Sequence, residues 1–170
     1  MADGRSKSWP LTGFGSSNLQ LAEGSIPAFG PRDLLVRVGA VSLNHLDKLI
    51  IDGVFKPDLR FPYIPASDAV GKVVGVGGKV SRFRVGERVL GQVIADWPDG
   101  EAPPVLHRNT RGITLPGVLS EHVVFHEDAA VAAPRSLSDA EASTLPIAAL
   151  TAWSALVEMT RSVPGETVLI

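Results

Sequence analysis

A mainly β fold with helices appended toward the C-terminal end is predicted for this 170-residue chain, and three observations predict it. Valine recurs at short intervals between glycines in "AVGKVVGVGGKVSRFRVGERVLGQV", residues 69–93, the pattern of short strands joined by tight turns. The capping pair Ser138 and Glu141 opens a helical stretch only late in the chain. Finally "PGETVLI", residues 164–170, turns into a β-branched apolar run that reads as the first strand of another sheet.

Taken in order, "LLVRVGAVSL", residues 34–43, alternates loosely between apolar and small or basic residues, so a strand with one face on a core is expected there. With the Val and Gly segment it predicts a bent antiparallel β unit. "ADWPDGEAPPVLHRNTRGITLPG", residues 95–117, lacks a period and is rich in Pro and Gly, which predicts a surface loop. Strand character resumes in "VLSEHVVFH", residues 118–126. Within the helical stretch Pro146 removes one backbone bond, so a break, or a second short helix over 147–158, is expected.

Composition narrows the function classes. Lys and Arg number 16 against 18 Asp and Glu, a net charge of −2 with no long run of one sign, so neither nucleic acid nor an anionic membrane is indicated as partner. No cysteine is present, which removes disulfides, thiolate zinc sites and thiol nucleophiles. At 45% apolar and 20% charged the chain is a folded protein with room for one full domain and a little over. There is no signal-peptide h-region and no membrane-length apolar run, and the default location is cytoplasmic.

"AVSLNHLD", "FPYIPASDAVGKVVGVGGKVSRFRVGERV" and "LPIAALTAWSAL", followed by "PGETVLI", occur in this order, and together they resemble the medium-chain dehydrogenase/reductase superfamily. The resemblance runs from Trp9 onward and is greatest to the zinc-independent branch of quinone oxidoreductases and NADP(H)-dependent alcohol dehydrogenase-like proteins. It implies a GroES-like β-barrel catalytic domain over 1–134, then crossing helices and the first strand of an incomplete Rossmann domain over 135–170. The Gly-rich turn that would cradle the cofactor pyrophosphate falls beyond Ile170. NADP(H) is the implied cofactor, with its full site needing the Rossmann part. A small carbonyl, enone or quinone is the implied substrate, and a homodimer through the Rossmann half the implied assembly.

Where zinc-dependent relatives place Cys, His and Cys, this chain has Asn44, Ser67 and Ile147. An amide, a hydroxyl and an alkyl group make no tight zinc site, and the relay hydroxyl position holds Leu46, so no zinc is expected. His45, His107, His122 and His126 lack ligand spacing and read as scattered surface residues. What remains is hydride transfer helped by positioning and hydrogen bonds.

The resemblance makes Asn44, Ser67 and Asp68 the candidate catalytic residues, and Asn44, His45 and Thr151 the candidate cofactor contacts. Residue chemistry offers quieter roles for each. Asn44 suits a cap on the turn after the strand, and Asp47 an anchor of the same loop. His45 suits an exposed loop residue, while Asp68 serves equally to orient a water or substrate hydroxyl or to lock a strand turn. Thr151 suits helix back-bonding. Gly71 reads as a strand bend and Trp153 as core packing ahead of a pocket wall. Leu49 and Phe55 stand where some quinone reductases carry tyrosines, and Tyr63, the only tyrosine, suits packing and binding equally. No residue makes a convincing general acid, so proton delivery from solvent is expected. A stand-alone GroES-like binding or regulatory module is the alternative, at the expense of an unpaired apolar strand edge in "PGETVLI".

Overall fold

The computed structural model describes residues 4–97, 100 and 109–169. Seven strands form two antiparallel sheets among these residues. β1 (Arg5–Ser8) pairs with β2 (Ala22–Ser25), and β3 (Asp33–Ser42), β4 (Asp68–Val76), β5 (Arg88–Gly91), β6 (His122–His126) and β7 (Ala130–Ala132) form a five-stranded sheet in the order β6-β3-β4-β5-β7. Between β3 and β4 lies α1 (His45–Ile51), and α2 (Asp139–Ser143) follows β7. The strands expected at 34–43, within 69–93 and within 118–126 all form, the last only from His122.

Alternation along β4 divides the apolar side chains between two clusters. Ala69 and Val73 join the main core with Leu34, Val36, Val89 and Phe125, whereas Val70 joins Leu90, Ala133 and Ala142 on the opposite face under α2. A slip of one residue would exchange the faces and turn Lys72 inward. Each buried valine or leucine is worth about 1.5–3 kcal/mol, so the register is firmly set. The start of β3 departs from the one-sided expectation: Leu34, Leu35 and Val36 are buried in succession because both faces are covered.

Two register shifts in the β3–β4 ladder, between Leu35 and Val36 and between Val38 and Ala40, bend the sheet toward a half-barrel. Gly71 lies in this region. A Cβ there would run into the Arg37 carbonyl and the Val36 side chain, so only glycine lets the two strands approach.

A buried carboxylate fastens the loops at the other end. Glu127 Oε2 accepts the backbone N–H groups of Ser81 at 2.8 Å and Arg82 at 3.0 Å, and Oε1 accepts from Arg32 Nε at 3.1 Å. Those backbone donors hold its carboxyl below the usual glutamate range.

The helical stretch opens on the expected capping box. Ser138 N donates to Glu141 Oε2 at 2.9 Å and Glu141 N to Ser138 Oγ at 3.3 Å. Arg88 Nε and Nη2 both donate to Asp139 Oδ1, at 2.9 and 2.6 Å, tying α2 to β5. Pro146 does not end the helical path. The chain widens into π-type turns over Leu145–Ala149, continues as α3 (Leu150–Trp153) and widens again over Ser154–Met159. The longer Ala149 N to Thr144 O bond, 3.3 Å, shows how the wider turn passes the proline. Residues 166–169 carry no regular secondary structure, since no strand among the described residues pairs with them.

Part of the expected surface loop is inside. Residues 98, 99 and 101–108, with His107, lie outside the described residues. Thr110 and Arg111, however, are buried, and Ile94 bridges to Thr110. The Arg111 guanidinium stacks 4.7 Å from the Phe125 ring centroid, which an aperiodic sequence gave no means of reading.

Replacing Gly71 by Ala is expected to lower unfolding stability by roughly 1–3 kcal/mol through overpacking, read as a shifted midpoint in urea melts of the chain.

Candidate functional site

The β3–β4 register ends with Ser42 opposite Asp68. Two residues past Ser42 the chain turns into α1, and Asn44 occupies the N-cap with extended dihedrals, φ −109° and ψ 159°. Asn44 thereby meets Asp68, and its Nδ2 donates to Asp68 Oδ2 at 3.0 Å. Asp47, at the third helical position, reaches back to accept the Asn44 backbone N–H at 2.7 Å. The Asn44 side chain in turn faces the Asp47 backbone, completing a capping box. Both the capping role of Asn44 and the anchoring role of Asp47 are therefore present.

Two carboxylates thus hold half-buried Asn44, Asp47 by its backbone N–H and Asp68 by its side-chain amide. Asp68 is 0% exposed and Asp47 2% exposed. Burial above all pushes the Asp68 carboxyl up to about 6; the Asn44 hydrogen bond opposes this, and the nearby Asp47 charge reinforces it. Burial likewise raises the Asp47 carboxyl, against its hydrogen bonds to Asn44. Asp68 Oδ1 is buried with no hydrogen-bond partner among the described residues. The Ile147 backbone amide also lies against Asp68 as a weaker influence, so β4, α1 and the π-type turn converge there.

Ser67 belongs to a different arrangement. It is buried, and its hydroxyl donates to the Arg111 carbonyl at 2.8 Å, docking the 109–117 loop onto the start of β4. Gly112, at φ 77°, must lack a Cβ because one would strike that hydroxyl. Sequence reasoning missed Arg111 itself. Burial draws its guanidinium down to about 10, and its Nε is a buried donor without a partner among the described residues. Tyr63 packs beside it; its hydroxyl donates to the Leu115 carbonyl at 2.7 Å, and burial raises it.

His45, the first residue of α1, is exposed, and so is Thr151 on α3. No hydrogen bond joins either side chain to the Asn44 cluster. Trp153 is 58% exposed, which corrects the expectation of core packing: its ring lies largely at the surface of α3. Among the remaining histidines, His122 Nδ1 lies 3.1 Å from Ser6 Oγ and His126 Nδ1 accepts the Asp128 N–H at 3.2 Å.

The donor set at the three metal-equivalent positions does not fit zinc. Asn44 is engaged with Asp68, the Ser67 hydroxyl with a carbonyl, and Ile147 offers only an alkyl side chain. No group of three His, Asp or Glu side chains that could hold a metal ion occurs among the described residues. Nor is any helix among them long and apolar enough to cross a membrane.

A curled antiparallel half-barrel followed by helices defines a GroES-like catalytic domain, and comparison with known proteins agrees. Residues 30–135 match the alcohol dehydrogenase GroES-like domain, and the chain belongs to that family, within the medium-chain dehydrogenase/reductases. It is 33% identical over 159 residues to a zinc-type alcohol dehydrogenase-like protein of Schizosaccharomyces pombe, covering 92% of this chain and 46% of that one. A chloroplastic quinone-oxidoreductase of Triphysaria versicolor is 34% identical over 165 residues, covering 93% and 45%. A crystal structure of a Sinorhizobium meliloti protein described as an alcohol dehydrogenase superposes with a TM-score of 0.85 at 47% identity, covering 93% and 47%. The chain therefore spans about half the length of the relatives it matches.

The raised Asp68 carboxyl has a defined effect on stability. A folded-state value of about 6 against 3.8 means the folded protein holds this proton more tightly than the unfolded chain. Its stabilising contribution is complete below pH 3.8 and is lost as pH rises through 6. Asp68→Asn keeps an acceptor for Asn44 without the charge. It is expected to stabilise the chain by on the order of 1–3 kcal/mol at pH 7.5, a gain that vanishes near pH 4 in paired urea melts.

Proposed function

We propose that this chain is the catalytic, substrate-side half of a zinc-independent oxidoreductase that uses NADP(H) and transfers hydride to or from a small carbonyl, enone or quinone. The barrel over 1–134 and the crossing helices over 135–170 form its two parts. One observation supports the proposal above all: the place where zinc-type relatives would need a metal ligand holds Asn44, its side-chain amide donating to buried Asp68 and its backbone N–H to buried Asp47. A fixed amide dipole stabilises charge developing on a substrate oxygen without reorganising, which is the service a Lewis acid otherwise performs.

Asn44 is the residue assigned to contact substrate or the nicotinamide end of the cofactor. Asp68 stands behind it and holds its orientation, since a side chain with no exposure reaches the substrate only through a neighbour. Ser67 acts further back still, through its bond to the 109–117 loop. His45 and Thr151 are exposed and free to meet a cofactor from the solvent side. When bound, NADPH supplies the hydride. Arg111 has no assigned contact with substrate.

A stand-alone binding module is the second reading. The exposure of Leu150, Trp153, Val157 and Met159 along one helical run counts against it, because such a face in a solitary module invites aggregation.

In the protein that carries this chain together with a cofactor-binding half, NADPH-dependent reduction of a para-quinone is expected to survive exhaustive chelation. Asn44→Ala is expected to lower kcat/KM by about 10²-fold with little change in KM for NADPH. Loss of activity on chelation, restored by zinc, would overturn the zinc-free assignment.

A further inference from the structure

Two helices, α1 and α2, open on the same capping box, yet they place its acid differently. In α2 the acid is Glu141, exposed to solvent while it accepts the Ser138 N–H at 2.9 Å. In α1 it is Asp47, which accepts the Asn44 N–H at 2.7 Å from a position only 2% exposed. An exposed acid is enough to start a helix, so capping alone gives no reason to bury this one. No lysine, arginine or histidine pairs with Asp47 or with its buried neighbour Asp68 among the described residues, whereas buried Glu127 has Arg32 beside it.

What Asp47 and Asp68 share is Asn44. Asp47 holds the backbone, its carboxylate accepting the Asn44 N–H while its own N–H donates to the Asn44 carbonyl at 3.0 Å. Asp68 holds the tip, accepting from Nδ2 at 3.0 Å. An asparagine side chain turns about χ1 and χ2, so a hold on the tip alone lets its base swing; with base and tip both held, the amide plane is fixed. The helix cannot supply the first hold unaided, because a seven-residue element such as α1 is marginal by itself.

We propose that Asp47 is a positioning residue for the reaction: by fixing the Asn44 backbone from a buried site, it sets where the Asn44 amide stands against substrate or nicotinamide. The inference rests on the assignment of Asn44 to that contact. Misplacing such a group by about 1 Å is enough to slow a reaction about 10²-fold, so a second buried carboxylate has a use here that it lacks at α2.

The test is a double-substitution cycle in the protein that carries this chain together with a cofactor-binding half, read as NADPH-dependent reduction of a para-quinone. Asp47→Ala is expected to lower kcat by about tenfold while KM for the quinone changes by less than about twofold, the pattern of a contact made in the transition state. Asp47→Asn, which keeps an oxygen for the Asn44 N–H, is expected to bring kcat back to within about threefold of the unsubstituted protein. In the Asn44→Ala background, Asp47→Ala is expected to cost less than about twofold more, because the group it positions is gone. Loss by the same factor in both backgrounds would mean that Asp47 only supports the helix, and the proposal would fall; it falls equally if Asp47→Ala loses nothing. Should Asn44→Ala itself leave kcat/KM unchanged, the assignment of Asn44 fails and takes this proposal with it, a result distinct from equal losses in the two backgrounds. If Asp47→Ala does not fold, Asp47→Ser, whose hydroxyl ends one bond short of the Oδ2 position, goes through the same cycle and the same outcomes decide.

Discussion

The long antiparallel ladder between β3 and β4 is the constraint on which the rest of this structure depends. Its register is set by burial on both faces, and its end pairs Ser42 with Asp68. Everything at the candidate site follows from that end point. The turn after Ser42 must start α1 immediately, the N-cap must be Asn44, and the first side chain it meets is the carboxylate across the ladder. Gly71 makes this possible by letting the strands approach closely through the bend.

The buried polar groups differ in how well they are satisfied, and the difference separates support from function. Glu127 receives two backbone N–H groups and an arginine, so its charge is fully matched and its role is to bind loops. Asp68 receives one side-chain amide proton, and among the described residues neither its Oδ1 nor the Gln92 Oε1 has a hydrogen-bond partner. Leaving such groups unmatched costs about 1–3 kcal/mol each, a cost that structures tend to concentrate where ligands bind. Arg111 lies between these cases, its cation resting on Phe125 while its Nε lacks a partner among the described residues.

The helical run after Pro146 connects the two themes. Its π-type turns bring the Ile147 amide to Asp68 while Leu145 and Leu150 line an apolar groove beside β5. The opposite face of the run, with Trp153 and Met159, stays exposed. The same family carries proteins described as zinc-type and as quinone oxidoreductases on this scaffold, and the scaffold does not distinguish them.

Much of this was legible in the sequence, because local patterns encode it. Valine and glycine spacing specified short strands, and the Ser138 and Glu141 pair specified where α2 begins. Residue chemistry also offered Asn44 as a cap and Asp47 as an anchor, and both roles are visible. Long-range geometry decided the remainder. Asp68 and Ser67 are neighbours in sequence, yet strand alternation sends one to Asn44 and the other to the Arg111 carbonyl. Arg111 lies in a stretch whose composition reads as surface loop, and only a partner ring 14 residues away explains its burial. Trp153 has core-forming chemistry yet is 58% exposed. Sequence determines what each side chain can do; which partner it finds depends on contacts between segments far apart in the chain, and those exist only once the sheet has closed.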